Sequence, residues 1–246
     1  MIRGLASLIK FLTIIPLKPR EDDLVLAAKN IHLFPLIGFL LGFLGGLFYL
    51  VLSVLLPPLI VGFLTLFFLS IINGFHHLDG LMDFGDGLMC KGSREDKLKA
   101  MKDIRVGVGG IALGFFIISV TSLSLPSIPR GSIIAALMVS EGFSKFSMVL
   151  LALMGSSAKE GTNRIFIEEA KKRKLKVLFT SLILASLVSF FLISLNFISL
   201  LIISFILPLI INSISKGSFG GLTGDVFGAT NEIVRMVSLL ALIAFL

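Results

Sequence analysis

The sequence predicts an all-α, polytopic membrane bundle of about 6–7 transmembrane helices. Of its 246 residues, 56% are hydrophobic and only 15% are charged, and the mean hydropathy is +1.03. Soluble domains are about 45–50% apolar and about 25% charged. No stretch rich in Pro, Gly or Ser divides the chain, so residues 1–246 are predicted to form a single integral-membrane domain.

The individual elements follow from the apolar runs, taken in chain order. Residues 1–18 predict a helix in the membrane interface, because Arg3, Lys10 and Lys18 can anchor this otherwise largely apolar segment at the surface. A spanning helix needs about 20 mostly apolar residues. Seven segments come close to that length, and the last three are short enough that six spans and a half-inserted helix stay open. These segments are 31–55, 58–76, 107–126, 131–153, 177–194, 197–214 and 228–246.

The distribution of cations predicts the orientation of these spans. The net charge is +7, Lys and Arg concentrate before the first span and after the second and fourth, and the loop after the sixth carries Lys216. The opposite loops hold one cation, Arg130. Cation-rich short loops face the cytoplasm, so we predict a plasma-membrane protein whose N-terminus lies inside. Because the cations flank apolar runs, they indicate contact with a lipid bilayer rather than with nucleic acid.

The first polar motif is NGFHHLDGLMDFGDG, residues 73–87. In a helix, Asp79, Asp83 and Asp86 are spaced i, i+4 and i+7 and share one face. Each ionised carboxylate costs roughly 2.5–3.5 kcal/mol at the centre of a bilayer, and the three repel one another. A divalent cation relieves both problems, and hard oxygen ligands suit Mg²⁺. We therefore predict a Mg²⁺ site here, with His76 and His77 as neighbouring acid–base or structural residues.

A second acidic motif, GGLTGDVFGATNE, covers residues 220–232. Asp225 and Glu232 are spaced i, i+7 with Gly228 between them, so both are candidate metal ligands. A Gly-rich turn before a helix binds anions through free backbone N–H groups. The candidate substrate contacts in this motif are Gly221, Thr223, Gly224 and Asn231. Two acidic helix ends are thus expected to face one another, which predicts an active-site cavity that faces the cytoplasm.

A third polar segment, residues 91–107, predicts a short amphipathic helix capped by Ser93 and Asp96. Topology alone explains most of its lysines. In the fourth span, Glu141 and Lys145 are spaced i, i+4, and a buried pair and a cavity lining both remain open.

Three runs of sequence resemble the cobalamin-5′-phosphate synthase family, also called adenosylcobinamide-GDP ribazoletransferases. They are HLDGLMDFGDG at 77–87, MKDIRVG at 101–107 and GLTGDVFGATNE at 221–232. The runs FLTIIP at 11–16 and FPLIG at 34–38 are also similar. Ile14 stands where the family usually has Arg, so no catalytic role is expected at that position.

The resemblance implies a transferase of the last step in cobalamin nucleotide-loop assembly. Its partners would be adenosylcobinamide-GDP and α-ribazole or α-ribazole 5′-phosphate, its cofactor Mg²⁺, and its products a cobalamin and GMP. Asp79, Asp83 and Asp225 would hold Mg²⁺, with Glu232 as a further ligand. Asp86 is the leading base and a further ligand, and Asp103 is another catalytic candidate. Lys91, Lys102 and Arg105 would contact phosphates. The number of metal ions and the formation of a homo-oligomer stay open.

Two other functions fit parts of the pattern. Membrane CDP-alcohol phosphotransferases also bind metal through aspartates, but Asp83 stands where they carry Ala, and their later aspartates do not follow Gly87. A cation transporter would place its acids near mid-bilayer and show inverted repeats. Neither feature is found in this sequence.

Overall fold

The computed structural model describes residues 2–245, so the first residue of the predicted interfacial helix and the last residue of the predicted final span lie outside it. Within that range the chain is helical, and its sole β-type contact is an isolated bridge between Ser157 and Leu222. The α-helices are α1 Ile2–Leu12, α2 Asp23–Lys29, α3 Phe34–Leu52, α4 Pro58–Ile72, α5 His76–Met89, α6 Arg94–Ala100, α7 Val108–Ser124, α8 Ile133–Met154, α9 Thr162–Lys172, α10 Lys174–Ile193, α11 Phe197–Phe219 and α12 Gly224–Phe245.

The apolar helices confirm a polytopic membrane protein. Five segments are long and apolar enough to cross a bilayer, and a further candidate is the 15-residue α4, which passes the same test only together with the bent α5. One of the five, Lys174–Phe219, contains two helices, α10 and α11, joined by a 3₁₀ turn at Ser194–Asn196. Each of these two helices is long enough for one crossing, so the described helices provide the six to seven spans that composition predicts.

Helix α8 forms the centre of the bundle, and α3 packs against it along a stripe of glycines. A Cβ atom on Gly38 or Gly42 would lie within 2.4 Å of a backbone carbonyl oxygen of α8. A Cβ on Gly46 would meet Ile134 in the same way. Small residues four apart let two membrane helices approach backbone to backbone. This contact explains why a strongly apolar α3 carries so many glycines.

A sharp hinge after α4 creates the helix that carries the first polar motif. Gly74 and Phe75 both have left-handed backbones, with φ of 60° and 59°. A left-handed conformation is uncommon for a non-glycine residue such as Phe75 and marks a locally strained position. The chain bends by 97° here, so α5 does not continue the direction of α4. We therefore treat α5 as a helix across one end of the bundle, outside the spanning segments.

Short amphipathic helices assemble at this same end. Helix α1 packs on α2, where Lys10 bonds to Asp23 at 2.7 Å. Helix α6 begins with a capping box, in which the Ser93 hydroxyl accepts from the Asp96 N–H and the Asp96 carboxylate accepts from the Ser93 N–H. Helix α9 lies in the cation-rich segment between the fourth and fifth predicted spans, and it packs against α2 and α8. The polar segments of the sequence thus surround α5.

Candidate active site

The site is built where α5 crosses the start of α12. A Cβ atom on Gly80 would lie 2.8 Å from the backbone oxygen of Asp225, and one on Gly228 would lie 3.0 Å from the backbone of His77. No other residue type allows two helix backbones to approach this closely. The two glycines therefore bring the first and second acidic motifs together, as the sequence predicts.

Three carboxylates, Asp79, Asp83 and Asp225, meet at this crossing. Burial, followed by the charges of Asp79 and Asp225, raises the pKa of Asp83 from 3.8 to about 7. A raised carboxyl pKa means that the negative charge is disfavoured where it stands. Thr223, which is fully buried, donates a hydrogen bond of 3.1 Å to Asp225 and so fixes its orientation. The crossing is a cluster of negative charge that lacks a full complement of cations.

Lys159, which no sequence motif singles out, supplies positive charge to this cluster. Leu222 accepts a 2.9 Å bond from the Ala158 N–H and donates a 2.7 Å bond to the Ser156 carbonyl. This two-bond bridge places Lys159 beside the second acidic motif. Burial and the neighbouring Lys102 lower the pKa of Lys159, while Asp225 and Asp83 oppose that shift. The only sequence feature that marked Lys159 was its place in a cation-rich loop.

Asp86 lies on the same helix but faces a different neighbour. Its two carboxylate oxygens accept hydrogen bonds of 2.7 Å from the backbone N–H groups of Gly107 and Gly110. These groups form the N-terminal end of α7, where a negative charge also interacts favourably with the helix dipole. Asp86 therefore joins α5 to α7, and its oxygens are already in use. The structure thus gives this leading candidate for the base a capping contact.

Glu232 and Asn231 lie deeper in the bundle, in a second charged cluster. Arg235 bonds to Glu232 and, at 3.0 Å, to Glu141. Lys145 lies 3.6 Å from Glu141 and donates a 2.7 Å bond to the Asn231 side-chain oxygen. All five side chains are at most 4% exposed. Glu141 and Lys145 are therefore a buried pair rather than a cavity lining, and Glu232 is bonded to arginine instead of joining the three aspartates.

The remaining candidates divide by exposure. Lys91 and Lys102 are exposed, and Asp103 is paired with Arg105 at 3.3 Å on the surface. Gly221 packs against the backbone of residues 156–158, where a Cβ atom would come within 2.6 Å of an oxygen. Its role is thus to allow the bridge that positions Lys159. Gly224 is exposed at the start of α12.

A cavity of about 440 Å³ adjoins the cluster, between α1, α5, α9 and α12. Asp79, Asp225 and Gly224 line it, and so do His76 and His77. His76 is exposed at this cavity, whereas His77 is buried beneath it. The cavity is large enough for a small organic ligand next to the carboxylates.

The donor set suits a hard divalent cation that shares its coordination with a ligand. Within residues 2–245, no three His, Cys, Asp or Glu side chains are grouped closely enough to hold a metal ion by themselves. Mg²⁺ is usually bound through one or two carboxylates, waters and substrate phosphates rather than by a complete protein cage. The exposed Asp79 and the half-buried Asp83 and Asp225 repel one another and fit that mode of binding.

The fold and the site together define a class: a polytopic helical membrane protein with an acidic and basic site at one end of the bundle. Comparison with known proteins identifies the family. The chain matches the model of the family described as Cobalamin-5-phosphate synthase over residues 4–243, and it belongs to this family.

Curated relatives that share one name match this chain over nearly their whole length. The adenosylcobinamide-GDP ribazoletransferase of Clostridium tetani is 33% identical, with 97% of this chain and 95% of the relative covered. The enzyme of Methanocella arvoryzae is 31% identical, with 97% of this chain and 94% of the relative covered. The enzyme of Archaeoglobus fulgidus is 30% identical, with 98% of this chain and 97% of the relative covered. No solved structure matches the chain.

Proposed function

We propose that this protein is an adenosylcobinamide-GDP ribazoletransferase. It would join adenosylcobinamide-GDP to α-ribazole, or to α-ribazole 5′-phosphate, and release GMP. The observation that carries the proposal is the crossing at Gly80 and Gly228, which gathers two separate motifs into one site. Family membership and the names of the relatives support the same reaction.

The reaction is a displacement at phosphorus. A ribose hydroxyl oxygen of the acceptor forms a bond to the phosphorus on the cobinamide side of the diphosphate. The bond from that phosphorus to the bridging oxygen breaks, and the bridging oxygen leaves with GMP. The hydroxyl proton passes to a base, and we assign this role to His76, which is exposed at the same cavity as Asp79 and Asp225. Asp86 is not assigned to it because its oxygens accept backbone hydrogen bonds.

Lys159 and Lys102 are the proposed contacts to the diphosphate. They lie beside one another near Asp83 and Asp225, so a bound diphosphate relieves the repulsion between the two ammonium groups. Asp79, Asp83 and Asp225 would hold Mg²⁺, which when bound neutralises charge on the phosphate oxygens. Thr223 would keep Asp225 oriented towards this position through its 3.1 Å bond.

The site is proposed to face the cytoplasm from the plasma membrane. The polar segments around α5 belong to the cation-rich loops, and such loops remain on the cytoplasmic side. That side also supplies nucleotides. The orientation is testable by labelling single cysteines from either side of sealed vesicles.

The reaction is tested with purified protein in liposomes, supplied with adenosylcobinamide-GDP, α-ribazole and Mg²⁺. We expect Mg²⁺-dependent formation of GMP and of a cobalamin in equal amounts. Asp83→Asn removes a charge without changing shape and should lower turnover by about 10²–10³-fold, the usual effect of losing one electrostatic contact in an active site.

The matched control is Asp22→Asn, which removes the same charge from an exposed position. It should leave turnover unchanged. Absence of product from the folded wild-type protein would refute the proposal, and GMP release that survives Asp83→Asn would refute the role of the cluster.

A further inference from the structure

The cavity beside the aspartates has an aromatic wall. The rings of Phe11 and Phe166 have centroids 4.4 Å apart, and Phe34 lies 5.8 Å from Phe166. All three line the cavity, and Phe227 lines it as well. Phenylalanine rings offer flat, apolar contact surfaces, and they prefer another ring as a partner. The wall therefore favours a flat aromatic group.

Two buried polar side chains in this cavity have no partner among the residues that the structure describes. Asn73 is only 2% exposed, and neither its oxygen nor its nitrogen makes a hydrogen bond. His77 is 8% exposed, and its Nδ1 atom is also unpaired. Leaving a buried polar group unpaired costs about 1–3 kcal/mol.

Asn163 makes the contrast clear, because it lines the same cavity and is satisfied. Its side-chain nitrogen donates to the Leu222 carbonyl at 2.9 Å and to the Ser157 hydroxyl at 2.8 Å. Its bonds hold the loop that positions Lys159. Asn73 and His77 serve no such internal purpose, so their free atoms are available to a ligand in the cavity.

We propose that this cavity binds the flat heteroaromatic base of the acceptor nucleoside. The proposal rests on the proposed function and adds a subsite to it. The phenylalanine wall contacts the faces of the base, and the Asn73 side-chain N–H donates a hydrogen bond to the free ring nitrogen at its edge. Asp79 and Asp225 line the same cavity, so the ribose attached to the base reaches the reacting phosphorus.

The polarity of the cavity favours the acceptor's base over the guanine of the donor. Guanine presents an oxygen, an amino group and several ring nitrogens, and each needs a partner when it is buried. The benzimidazole of α-ribazole, once attached to ribose, has a single free ring nitrogen. A wall of phenylalanines beside the unpaired side-chain N–H of Asn73 matches that single acceptor.

The test is Asn73→Leu, measured as steady-state kinetics with each substrate varied in turn. Leucine has nearly the shape of asparagine, and no hydrogen bond within the protein is lost. We expect the KM for α-ribazole to rise about five- to tenfold, the effect of losing a hydrogen bond in a dry cavity. The KM for adenosylcobinamide-GDP and the turnover at saturation should change by less than about twofold, and the melting temperature should not fall, because the unpaired amide is removed.

Thr65→Val is the matched control. The Thr65 hydroxyl is also fully buried and unpaired, but it lies on α4 away from the cavity. Its replacement should leave both KM values unchanged. A second measurement needs no variant: benzimidazole should inhibit the wild-type enzyme competitively with α-ribazole and not with adenosylcobinamide-GDP.

The outcomes separate this inference from the proposed function. A raised KM for adenosylcobinamide-GDP in Asn73→Leu, or benzimidazole that competes with that substrate, assigns the cavity to the donor and overturns the inference while the reaction stands. Two unchanged KM values also overturn it. If the wild-type protein makes no product, the proposed function fails, and equilibrium dialysis of α-ribazole against wild-type and Asn73→Leu protein then decides whether the cavity binds the base.

Discussion

Helix α12 contributes residues to two clusters of charge, which differ in their depth in the bundle and in their balance of positive and negative charge. Asp225, at the start of α12, faces Asp79 and Asp83, and among the described residues the cations beside these acids are Lys159 and Lys102. Glu232 and Arg235, two to three turns deeper, are buried and directly paired. The first cluster is short of positive charge, whereas the second is nearly neutral.

The difference shows how depth in the bundle assigns a role to a carboxylate. Seven residues of helix separate Asp225 from Glu232, a rise of about 10 Å. At the deeper position no water replaces a missing partner, so ionised groups persist only as pairs. At the end of the bundle water and soluble ions reach the carboxylates, and charge can be left for a ligand to neutralise. The deep cluster therefore maintains the fold, and the outer cluster is suited to binding.

The largest expected effect is the loss of stability when a charged residue of the deep cluster is removed. Arg235→Leu removes the common partner of Glu141 and Glu232 and leaves two buried carboxylates with Lys145 alone. Breaking one member of a buried ion pair costs about 3–5 kcal/mol. We expect a large fall in the midpoint of thermal unfolding in detergent.

Arg164→Leu is its control, because Arg164 also contacts two glutamates, Glu160 and Glu168, but is 46% exposed. Surface pairs contribute at most about 1 kcal/mol. Equal losses of stability in the two variants would contradict the structural role of the deep cluster.

A smaller effect, this time on turnover, is expected from separating the two helices of the outer cluster. In Gly80→Ala the new Cβ would lie 2.8 Å from the Asp225 backbone oxygen, and a backbone cannot move aside as a flexible side chain does. A displacement of about 1 Å in an active site lowers rates by about 10²-fold. We therefore expect turnover to fall about 100-fold in Gly80→Ala. The unfolding midpoint of the protein should change little, because the deep cluster is left intact.

Gly217→Ala is the comparison, since a Cβ on Gly217 would have nothing within 4 Å. It should retain full turnover and gain slightly in helix stability. A fully active Gly80→Ala enzyme would show that the close approach of α5 and α12 is not required.

The sequence was sufficient to predict those features that depend on composition and on local spacing. The apolar runs predict the membrane bundle, and Ser93 with Asp96 predicts the cap of α6. The two acidic motifs, each rich in glycine, predict that two helix ends face one another, and Gly80 and Gly228 form that crossing. Asp79, Asp83 and Asp225 are accordingly found together.

Features that depend on neighbouring helices were beyond the same reasoning. Asp86 shares a helical face with Asp79, yet the N-terminus of α7 lies against it and takes both of its oxygens. Glu232 shares a face with Asp225, yet it meets Arg235. Lys159 reaches the site through a bridge to Leu222, more than 60 residues away. Spacing along one helix predicts which residues share a face, but it does not predict which neighbouring helix or loop packs against each of them.

A more modest effect should follow from removing the cation of the outer cluster. Lys159→Met keeps the length of the side chain but removes the charge that faces Asp83 and Asp225. A lost charged hydrogen bond to phosphate corresponds to about a tenfold or greater rise in KM. We expect this rise for adenosylcobinamide-GDP and not for α-ribazole. Lys171→Met, on the exposed part of α9, is the control and should alter neither KM value. If Lys159→Met leaves the KM for adenosylcobinamide-GDP unchanged, Lys159 does not contact this substrate.

The smallest expected effect is a dependence of Mg²⁺ binding on pH. The pKa of Asp83 is raised to about 7, so protons compete with Mg²⁺ for this carboxylate below neutral pH. For one competing proton, the apparent Kd for Mg²⁺ should increase about fivefold from pH 7 to pH 6. Mg²⁺ binding thus strengthens as pH rises, whereas the stability of the metal-free protein falls. A carboxylate whose pKa is raised in the folded state destabilises the fold as pH rises from about 4 to 7.

Mg²⁺ should therefore raise the unfolding midpoint more at pH 8 than at pH 6, and Asp83→Asn should lose most of this difference. Arg235 and its partners are buried as ion pairs, so we expect the deep cluster to contribute nothing to the dependence of Mg²⁺ binding on pH. A Mg²⁺ response that is independent of pH in the wild-type protein would show that Asp83 does not bind the ion. The same result would leave the outer cluster with repulsion that its lysines alone must balance.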